Sequence, residues 1–323
     1  MSEASSNAVI LLFTGCVAAF VITICLIKLI GPKLPRDHGR AFAVAGELSA
    51  GKIRGAGILM MPVFAVVTAA VSAFSLRMVV YMVLVLLSML SGYLDDRSET
   101  PWSELKKGIV DFVICLLMGA ALVYFEPETA VLDFGASQVA VAKPLYVVLA
   151  ACFLWLMINA VNCADGIDGL SSGLVMNSMI AAVAAAFVLE TQGKLIMPCA
   201  ILASVLFAYL IFNSEPSTVL MGDAGSRPIG LFLGFLFLRM GNALFAIPCC
   251  IVLLVDGLMG LVKLAVLRTV KAKHFMENLR TPIHDHFRKN KGSSNQQVRF
   301  GFNLAQILVS FVFLTILLLV NGR

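Results

Sequence analysis

Residues 159–170 (NAVNCADGIDGL) carry the densest set of side chains that could do chemistry. Two amides and two carboxylates repeat at every third position, as Asn159, Asn162, Asp165 and Asp168. On a helix each successive group is turned about 60° from the last, so the spacing predicts one drifting polar stripe. A helix cap needs only one such residue, so four of them favour a ligand-binding site over capping.

Three further carboxylates suit a hard cation. Asp95 and Asp96 are adjacent, and such a pair needs a compensating cation, which could be Arg97 or a Mg²⁺ ion. Asp223 lies between glycines just before a predicted helix start, where phosphate could meet the helix N-terminus while the carboxylate faces a metal. A solvated loop and a serine cap at Ser226 are the alternatives. We predict Mg²⁺ as the cofactor, with Asp223 and Asp96 as its ligands.

Imidazole and basic groups provide for the anionic parts of a substrate. His284, Asp285 and His286 could bind metal, but the basic residues that follow them favour contact with a pyrophosphate, since the carboxylates already provide for a cation. Lys52 and Lys107 could each reach a phosphate. Lysines at a membrane surface also snorkel to the headgroups, which is the simpler explanation of both.

Asp256 and Lys263 lie seven residues apart in an apolar segment, two turns along one helix face. Ionisable residues inside a membrane are functional candidates by default. A structural pair that neutralises itself is an equal alternative.

Membrane helices must position these side chains. Hydrophobic residues make up 60% of the chain, charged residues 13%, and the mean hydropathy is +0.94, which excludes an ordinary soluble protein. The sequence predicts an all-α polytopic protein with one membrane domain over residues 1–323, and a short hairpin within 126–143. A span needs about 20 apolar residues. The ten predicted spans are roughly 8–30, 57–74, 78–94, 108–125, 145–162, 174–190, 195–213, 228–240, 243–267 and 300–320.

Charge asymmetry predicts the orientation of the spans. One set of alternate loops carries five of the 24 Lys and Arg residues, near positions 77, 143, 194, 239 and 323, and the other set carries the remaining 19. By the positive-inside rule the second set is cytoplasmic and both termini are outside. All the polar clusters then fall on the cytoplasmic face. The net charge of +5 suits anionic headgroups and substrates rather than nucleic acid.

Together these groups indicate phosphoryl transfer, in which a protein mainly positions reactants and neutralises charge. A transporter or lipid scramblase is a chemically different alternative. The sequence counts against it because the polar groups collect at one face and no internal repeat is visible.

Four motifs in order resemble the polyprenyl-phosphate N-acetylhexosamine-1-phosphate transferase family. They are GYLDD at 92–96, the stretch at 159–170, MGDAGS at 221–226 and PIHDH at 282–286. The resemblance covers nearly the whole chain. It implies ten membrane helices in a bacterial inner membrane, a cytoplasmic-facing site with Mg²⁺, often a homodimer, and a UDP-linked amino sugar and polyprenyl phosphate as substrates.

Two branches of this family are candidates. PIHDH and the Asp256 to Lys263 segment look most like the branch that transfers phospho-MurNAc-pentapeptide from UDP-MurNAc-pentapeptide to undecaprenyl phosphate with release of UMP. GYLDD followed by Arg97, and MGDAGS, look more like the branch that transfers N-acetylglucosamine phosphate, which is the alternative. Asp285 replaces the middle histidine of the first branch, and residues 52–57 replace its usual threonine-rich motif.

The expected reaction gives each candidate residue a role. Asp95 would deprotonate or position the lipid phosphate, and Asp96 would help Asp223 to hold the metal. The catalytic candidates are Asp95, Asp96, Asp223 and His284. The residues expected to bind the uridine end and orient the metal shell are Asn162, Asp165 and Asp168. The residues expected to contact phosphates or sugar are His284, His286 and Lys107. The remaining substrate-binding candidates are Lys52 and Asp285.

Overall fold

The computed structural model of the chain describes residues 3–37, 39, 49–72, 74–98, 100, 102–133, 138–191, 195–270 and 274–321. Helices dominate these residues, and two short strands form the one sheet among them. The elements are α1 (Glu3–Leu29), α2 (Gly57–Val71), α3 (Leu76–Asp96), α4 (Glu104–Phe125), β1 (Val131–Asp133), β2 (Gln138–Ala140), α5 (Lys143–Ala164), α6 (Leu170–Val188), α7 (Ile196–Asn213), α8 (Asp223–Arg239), α9 (Ala246–Thr269), α10 (Ile283–Lys291) and α11 (Asn295–Val320).

Each of the ten predicted apolar segments is helical, and the polytopic membrane protein is confirmed. Among the described residues eight helices are long and apolar enough to cross a membrane, namely α1, α3 to α7, α9 and α11. α2 and α8 have 15 and 17 residues, fewer than the about 20 that a lone span needs, so ten spans stay a prediction. Lys194 and Arg323, two of the cations used for the orientation, lie outside the described residues.

α8 is the buried centre of the bundle. Every residue from Asp223 to Leu238 is buried, and α5, α3 and α2 pack around this helix. A Cβ at Gly92 of α3 would lie 2.2 Å from the Asp223 carbonyl oxygen, so only glycine permits this approach of the two backbones. The C-terminal end of α3 therefore meets the N-terminal end of α8 directly.

The segment before α2 pairs with the segment before α8. Ile53 N donates to Thr218 O at 3.1 Å, and Leu220 N donates to Ile53 O at 2.7 Å. This parallel bridge places the neighbouring Lys52 and Arg54 beside the start of α8.

The excursion predicted at 126–143 contains the expected hairpin. β1 and β2 are antiparallel, with Val131 opposite Ala140. The hairpin follows the end of α4 that lies away from Lys107. The short helix α10, which carries the histidine motif, was not predicted.

A buried amide bridges a break in α9. Cys250 departs from helical geometry, with φ −133° and ψ 15°. Val252 N donates to Gln306 Oε1 at 3.0 Å, and Gln306 Nε2 donates to Pro248 O at 3.1 Å. In an intact helix Val252 N would donate to Pro248 O itself, so the Gln306 amide is inserted into that broken bond and ties α11 to α9.

Candidate active site

Asp95 and Asp96 end α3 and are both buried, with 5% and 8% of their surfaces exposed. Asp95 Oδ2 accepts from Lys107 Nζ at 2.8 Å and from Arg227 Nη2 at 3.0 Å. Its other oxygen accepts from Trp102 N at 2.8 Å. Cations from α4 and α8 thus hold this carboxylate in place.

Asp96 is held from the other side. Its Oδ1 accepts from Arg54 Nε at 2.9 Å and its Oδ2 from Ala224 N at 3.0 Å. The compensating cation is therefore Arg54 and not the exposed Arg97. Burial on its own would lower the pKa of the Arg54 guanidinium, but the adjoining Asp96 carboxylate raises that pKa above its ordinary value, so Arg54 stays charged. Gly222 has φ +66°, and a Cβ there would lie 2.3 Å from Asp96 Oδ2, so this turn requires glycine.

Asp223 begins α8 and binds both a neutral and a cationic donor. Its Oδ1 accepts from Asn162 Nδ2 at 2.9 Å, and the same amide nitrogen donates to Ser226 Oγ at 2.8 Å. Its Oδ2 lies 2.5 Å from Arg227 Nη2 and 3.7 Å from Lys107 Nζ. Asn162 of α5 is therefore joined to the site as predicted.

Arg227 and Asp111 are the main site residues that the sequence motifs did not reveal. Arg227 is only 2% exposed and binds Asp95, Asp223 and, through Nη1 at 3.5 Å, Asp111 of α4. Each had a signal in the sequence. Arg227 lies four residues after Asp223, a spacing that suits an ion pair on a helix, and Asp111 is an acid inside an apolar segment. We call Asp95, Asp96 and Asp223 the acidic cluster.

The predicted polar stripe on one helix is wrong, because α5 ends at Ala164. Asn162 lies in the last turn of α5 and reaches the acidic cluster, whereas Asp165 and Asp168 lie in the turn that leads to α6. Asn159 Nδ2 donates to a carbonyl of its own helix. The repeat of three therefore distributes the four groups between a helix end and a turn.

Lys52 and Asp168, predicted separately as substrate-binding residues, form one ion pair. Lys52 Nζ lies 3.2 Å from Asp168 Oδ2 and donates to Ser217 Oγ at 2.7 Å. Ser217 N donates to the same Asp168 oxygen at 3.3 Å. Asp168 lies in the turn before α6 and Lys52 in the segment before α2. Both side chains are half-buried, so solvent can reach the pair.

His284 is buried in the first turn of α10 against an acid of α9. Asp256 accepts from the backbone N and from Nδ1 of His284, each at 2.7 Å. In the neutral imidazole, a proton on Nδ1 leaves Nε2 as an acceptor. A Cβ at Gly166 would lie 2.5 Å from this Nε2, so His284 adjoins the turn that carries Asp165 and Asp168.

Asp256 and Lys263 have different partners, so the mutual pair suggested by their spacing is wrong. Asp256 binds His284, as described, while Lys263 Nζ donates to Leu279 O at 2.7 Å. The acid positions the histidine, and the lysine ties α9 to the loop that leads to α10.

The other two residues of the histidine motif have partners in α10 and in the loop just before it. Asp285 Oδ1 lies 3.2 Å from Arg288 Nη1 and 3.8 Å from His284 Nε2. His286 Nδ1 accepts from Arg280 N at 3.3 Å. Both side chains are half-buried, so both keep surface that a ligand could contact.

The described residues thus bring the predicted candidates together at one end of the bundle, in two adjoining groups. The acidic cluster meets Lys107, Arg54, Arg227 and Asn162, and the turn after α5 meets Lys52 and His284. Asp165 lies between Asn162 and Asp168 in the chain, at the C-terminal cap of α5. Such a site can exchange carboxylate partners for phosphate oxygens at its lysines, which is what charge neutralisation in phosphoryl transfer requires.

Comparisons with known proteins agree with this chemistry. The sequence profile described as glycosyl transferase family 4 matches residues 78–241. A phospho-N-acetylmuramoyl-pentapeptide-transferase of Treponema pallidum (strain Nichols) is 36% identical over 303 residues, which cover 88% of this chain and 83% of that protein. Proteins of the same name from Petrotoga mobilis and Dictyoglomus turgidum are 28% and 24% identical, over 64% and 93% of this chain and 65% and 96% of their own lengths.

Proposed function

The chain belongs to glycosyl transferase family 4, and from that membership we propose that it transfers phospho-MurNAc-pentapeptide from UDP-MurNAc-pentapeptide to undecaprenyl phosphate. An oxygen of the lipid phosphate attacks the β-phosphorus of the UDP-sugar. The bond from that phosphorus to the bridging oxygen breaks, and UMP leaves with that oxygen. The product is a lipid-linked diphosphosugar, formed in the first membrane step of peptidoglycan synthesis.

The observation that carries this proposal is the meeting of Asp95 and Asp223 at Lys107 and Arg227. Each of the two cations lies within 3.7 Å of both carboxylates, which come from different helices. A diphosphate substrate brings several negative charges, and transfer between phosphates is promoted by fixed cations that need no reorganisation. Lys107, 22% exposed, is the cation that can turn from Asp95 to an entering phosphate.

Mg²⁺ fits the donors of the acidic cluster. Among the described residues no group of three or more His, Cys, Asp and Glu is placed to hold a metal. Mg²⁺ commonly takes only one or two protein carboxylates, and substrate phosphates and water complete its shell. Asp223 and Asp96 would be those ligands, since Asp96 already binds the amide next to Asp223. When bound, the ion would neutralise charge on the diphosphate.

The other residues would hold the two substrates. Asp95, fixed by Lys107, would position the lipid phosphate or take its proton. The residues proposed to bind the uridine end are Asn162, Asp165 and Asp168. Lys52, which forms an ion pair with Asp168, would assist them. The residues proposed to contact phosphates or sugar are His284, Asp285, His286 and Lys107. His284 Nε2 would accept a hydrogen bond, because Asp256 holds the proton on Nδ1.

The protein is a multi-pass membrane protein, and we propose that it lies in the bacterial inner membrane with the acidic cluster on the cytoplasmic face. Ten spans, both termini outside, one transferase domain over residues 1–323 and a homodimer belong to the same proposal. The sequence assigns 19 of the 24 Lys and Arg residues to the set of loops that also carries the acidic cluster, and this asymmetry supports the orientation.

One assay separates the two branches of the family. Purified protein with undecaprenyl phosphate and Mg²⁺ is offered UDP-MurNAc-pentapeptide or UDP-GlcNAc, and release of UMP is measured. We expect UMP from the first donor only, as the names of the relatives indicate. Turnover of UDP-GlcNAc alone would overturn the proposal, and coupled uptake of a solute into proteoliposomes without UMP release would indicate a transporter.

A further inference from the structure

A cavity with one polar wall lies at the end of the bundle opposite the acidic cluster. It encloses about 250 Å³ between α2, α3, α7 and α8. Hydroxyl and guanidinium groups form one wall, contributed by Thr68, Ser72, Ser75, Arg77 and Arg239. Apolar side chains form the other wall, contributed mainly by Met78, Met82, Met197, Phe232, Phe235 and Leu236.

This cavity is separate from the acidic cluster. Arg77 and Asp96 stand 19 residues apart on α3, and Asp223 and Arg239 stand 16 residues apart on α8. A rise of 1.5 Å per residue makes these separations about 28 Å and about 24 Å. The hydrocarbon core of a bilayer is about 30 Å thick, so the two sites lie near opposite membrane surfaces.

The cavity wall is cationic. Glu126, 1% exposed, binds Arg239 Nε at 2.9 Å and Tyr81 OH at 3.3 Å through one oxygen, and that oxygen lies 3.6 Å from Arg77 Nη1. Both guanidinium groups lie beside the Glu126 carboxylate and line the cavity, whereas Glu126 is not among the described residues that line it. The Arg77 contact is longer than a hydrogen bond, so its N–H donors can still serve an anion.

A buried hydroxyl provides an independent sign of a ligand. Thr68 lines the cavity, is 2% exposed, and its Oγ1 has no hydrogen-bond partner among the described residues. Buried hydroxyls nearly always have a partner. The nearby Ser72 hydroxyl has only a 4.0 Å contact with Met197 Sδ. Both hydroxyls could donate to an oxygen that entered the cavity.

The position of the two arginines is also unusual. The sequence assigns five of the 24 Lys and Arg residues to the loops of this side, and two of the five, Arg77 and Arg239, line this one cavity. Cations on the outer side of a membrane are not needed for orientation. Phe74 and Leu76, which flank Ser75 of the cavity lining in the chain, are 80% and 69% exposed, as expected for side chains that contact lipid tails.

We propose that this cavity binds the phosphate of an anionic lipid from the leaflet opposite the active site. Arg77 and Arg239 hold the phosphate oxygens, and the hydroxyls of Thr68 and Ser72 complete their hydrogen bonds. The apolar wall beside Phe235 receives the first part of an acyl chain. The proposal does not depend on the transferase activity.

The test measures lipid binding to purified protein in neutral detergent by native mass spectrometry. The background is Lys107→Gln, so that the active site does not hold the lipid phosphate. The probes are dioleoyl phosphatidate, dioleoyl phosphatidylcholine and inorganic phosphate. We expect phosphatidate to be retained, phosphatidylcholine to bind at least about tenfold more weakly because its headgroup is zwitterionic, and inorganic phosphate to bind too weakly to be retained.

Variants of Arg77 assign the binding to the cavity. Arg77→Gln leaves the Arg239 pair with Glu126 intact and should weaken phosphatidate binding about tenfold, whereas Arg77→Lys should weaken it less. Arg97→Gln, an exposed arginine at the other end of α3, is the matched control and should bind as the background does. Because Arg77→Lys keeps the charge, an equally large loss in both variants would indicate damage to the fold and overturn the assignment.

Three results would contradict the proposal. Equal retention of phosphatidate by Arg77→Gln and the background would place the lipid elsewhere. Equal binding of phosphatidylcholine would remove the role of the phosphate charge. Inorganic phosphate that binds as tightly as phosphatidate would make this a site for free anions and overturn the lipid assignment.

Discussion

Asp95 of α3 and Asp223 of α8 share one nitrogen of a buried arginine. Arg227 Nη2 lies 3.0 Å from Asp95 Oδ2 and 2.5 Å from Asp223 Oδ2. Two buried carboxylates repel each other, so their closeness depends on this guanidinium and on Lys107. Arg227 is thus a positioning residue, which sets the geometry of the groups proposed to meet the metal and the lipid phosphate.

We expect Arg227→Met to lower the free energy of unfolding by about 3–5 kcal/mol, because three buried carboxylates lose a shared cation. Arg227→Lys should lower it less, since lysine keeps the charge but cannot present two nitrogens to Asp95 and Asp111 together. Thermal unfolding of the purified protein in detergent measures both. The control is Arg268→Met, an exposed arginine of α9, which should change stability by less than about 0.5 kcal/mol. Wild-type stability of Arg227→Met would show that the network contributes nothing to the fold.

Lys107 and Lys106 form a matched pair for testing the phosphate contact. Lys107 lies between two carboxylates of the acidic cluster, whereas Lys106 lies over the Trp102 ring at 3.6 Å from its centroid. Lys107→Gln should reduce kcat/KM for undecaprenyl phosphate about 100-fold, as for loss of one fixed donor to a developing charge. Lys106→Gln should stay close to wild type in the same UMP-release assay. Similar losses in both variants would assign these lysines to the membrane surface.

Composition and the spacing of apolar segments predict most of this fold, but not its centre. Ten apolar runs correspond to ten helices because backbone groups kept away from water must form their hydrogen bonds within the segment. What the runs do not reveal is that α8 is enclosed by other helices, since an apolar residue reads alike whether it faces lipid or protein. The approach of Gly92 to Asp223 depends on tertiary packing. The sequence has 25 glycines, and nothing in it distinguishes Gly92 as the one that makes this contact.

In the candidate site, too, the sequence predicted some features and missed those that depend on tertiary packing. Asp95, Asn162 and Asp223 converge as their motifs predict, because α3 and α5 end on the side of the bundle where α8 begins. The sequence did not predict which distant residues would pair. Lys52 pairs with Asp168 and His284 with Asp256 through loops whose conformation no periodic pattern determines. The stripe over 159–168 failed because α5 ends at Ala164 and Gly169, with φ +76°, begins the next helix, which a count of three-residue steps ignores.

Asp223→Asn should abolish Mg²⁺-dependent release of UMP without unfolding the protein. The amide keeps one oxygen for the Asn162 hydrogen bond but loses the charge that a hard cation needs. A readout apart from turnover is the binding of Mn²⁺ in the presence of UDP, followed by electron paramagnetic resonance, which should weaken at least about tenfold. The control is Glu277→Gln, an exposed acid beside His274. Normal turnover and Mn²⁺ binding by Asp223→Asn would refute its assignment as a metal ligand.

Asp256 should act through His284. Asp256→Asn replaces the acceptor that holds the proton on Nδ1, so the tautomer of the imidazole is no longer fixed, and kcat/KM should fall about 10- to 100-fold. His284→Gln should cause a similar loss, and the double variant should be no worse than the worse single variant. Asp285→Asn, whose partner is Arg288, should have a smaller effect. Independent, multiplying losses from Asp256 and His284 would show that the acid does not work through the histidine.

Gln306→Leu tests the repaired break in α9. The leucine leaves Val252 N and Pro248 O without the amide that joins them, and each buried unpaired group costs about 1–3 kcal/mol. We expect a lower unfolding temperature in detergent. Gln306→Glu should be destabilised as well, since a carboxylate cannot donate to the Pro248 carbonyl. The control is Gln296→Leu, at an exposed position near the start of the same helix, which should unfold close to the wild-type temperature. A Gln306→Leu variant as stable as that control would contradict this prediction. Val252 N would then have to donate to Pro248 O directly, and the Gln306 contact between α11 and α9 would not stabilise the fold.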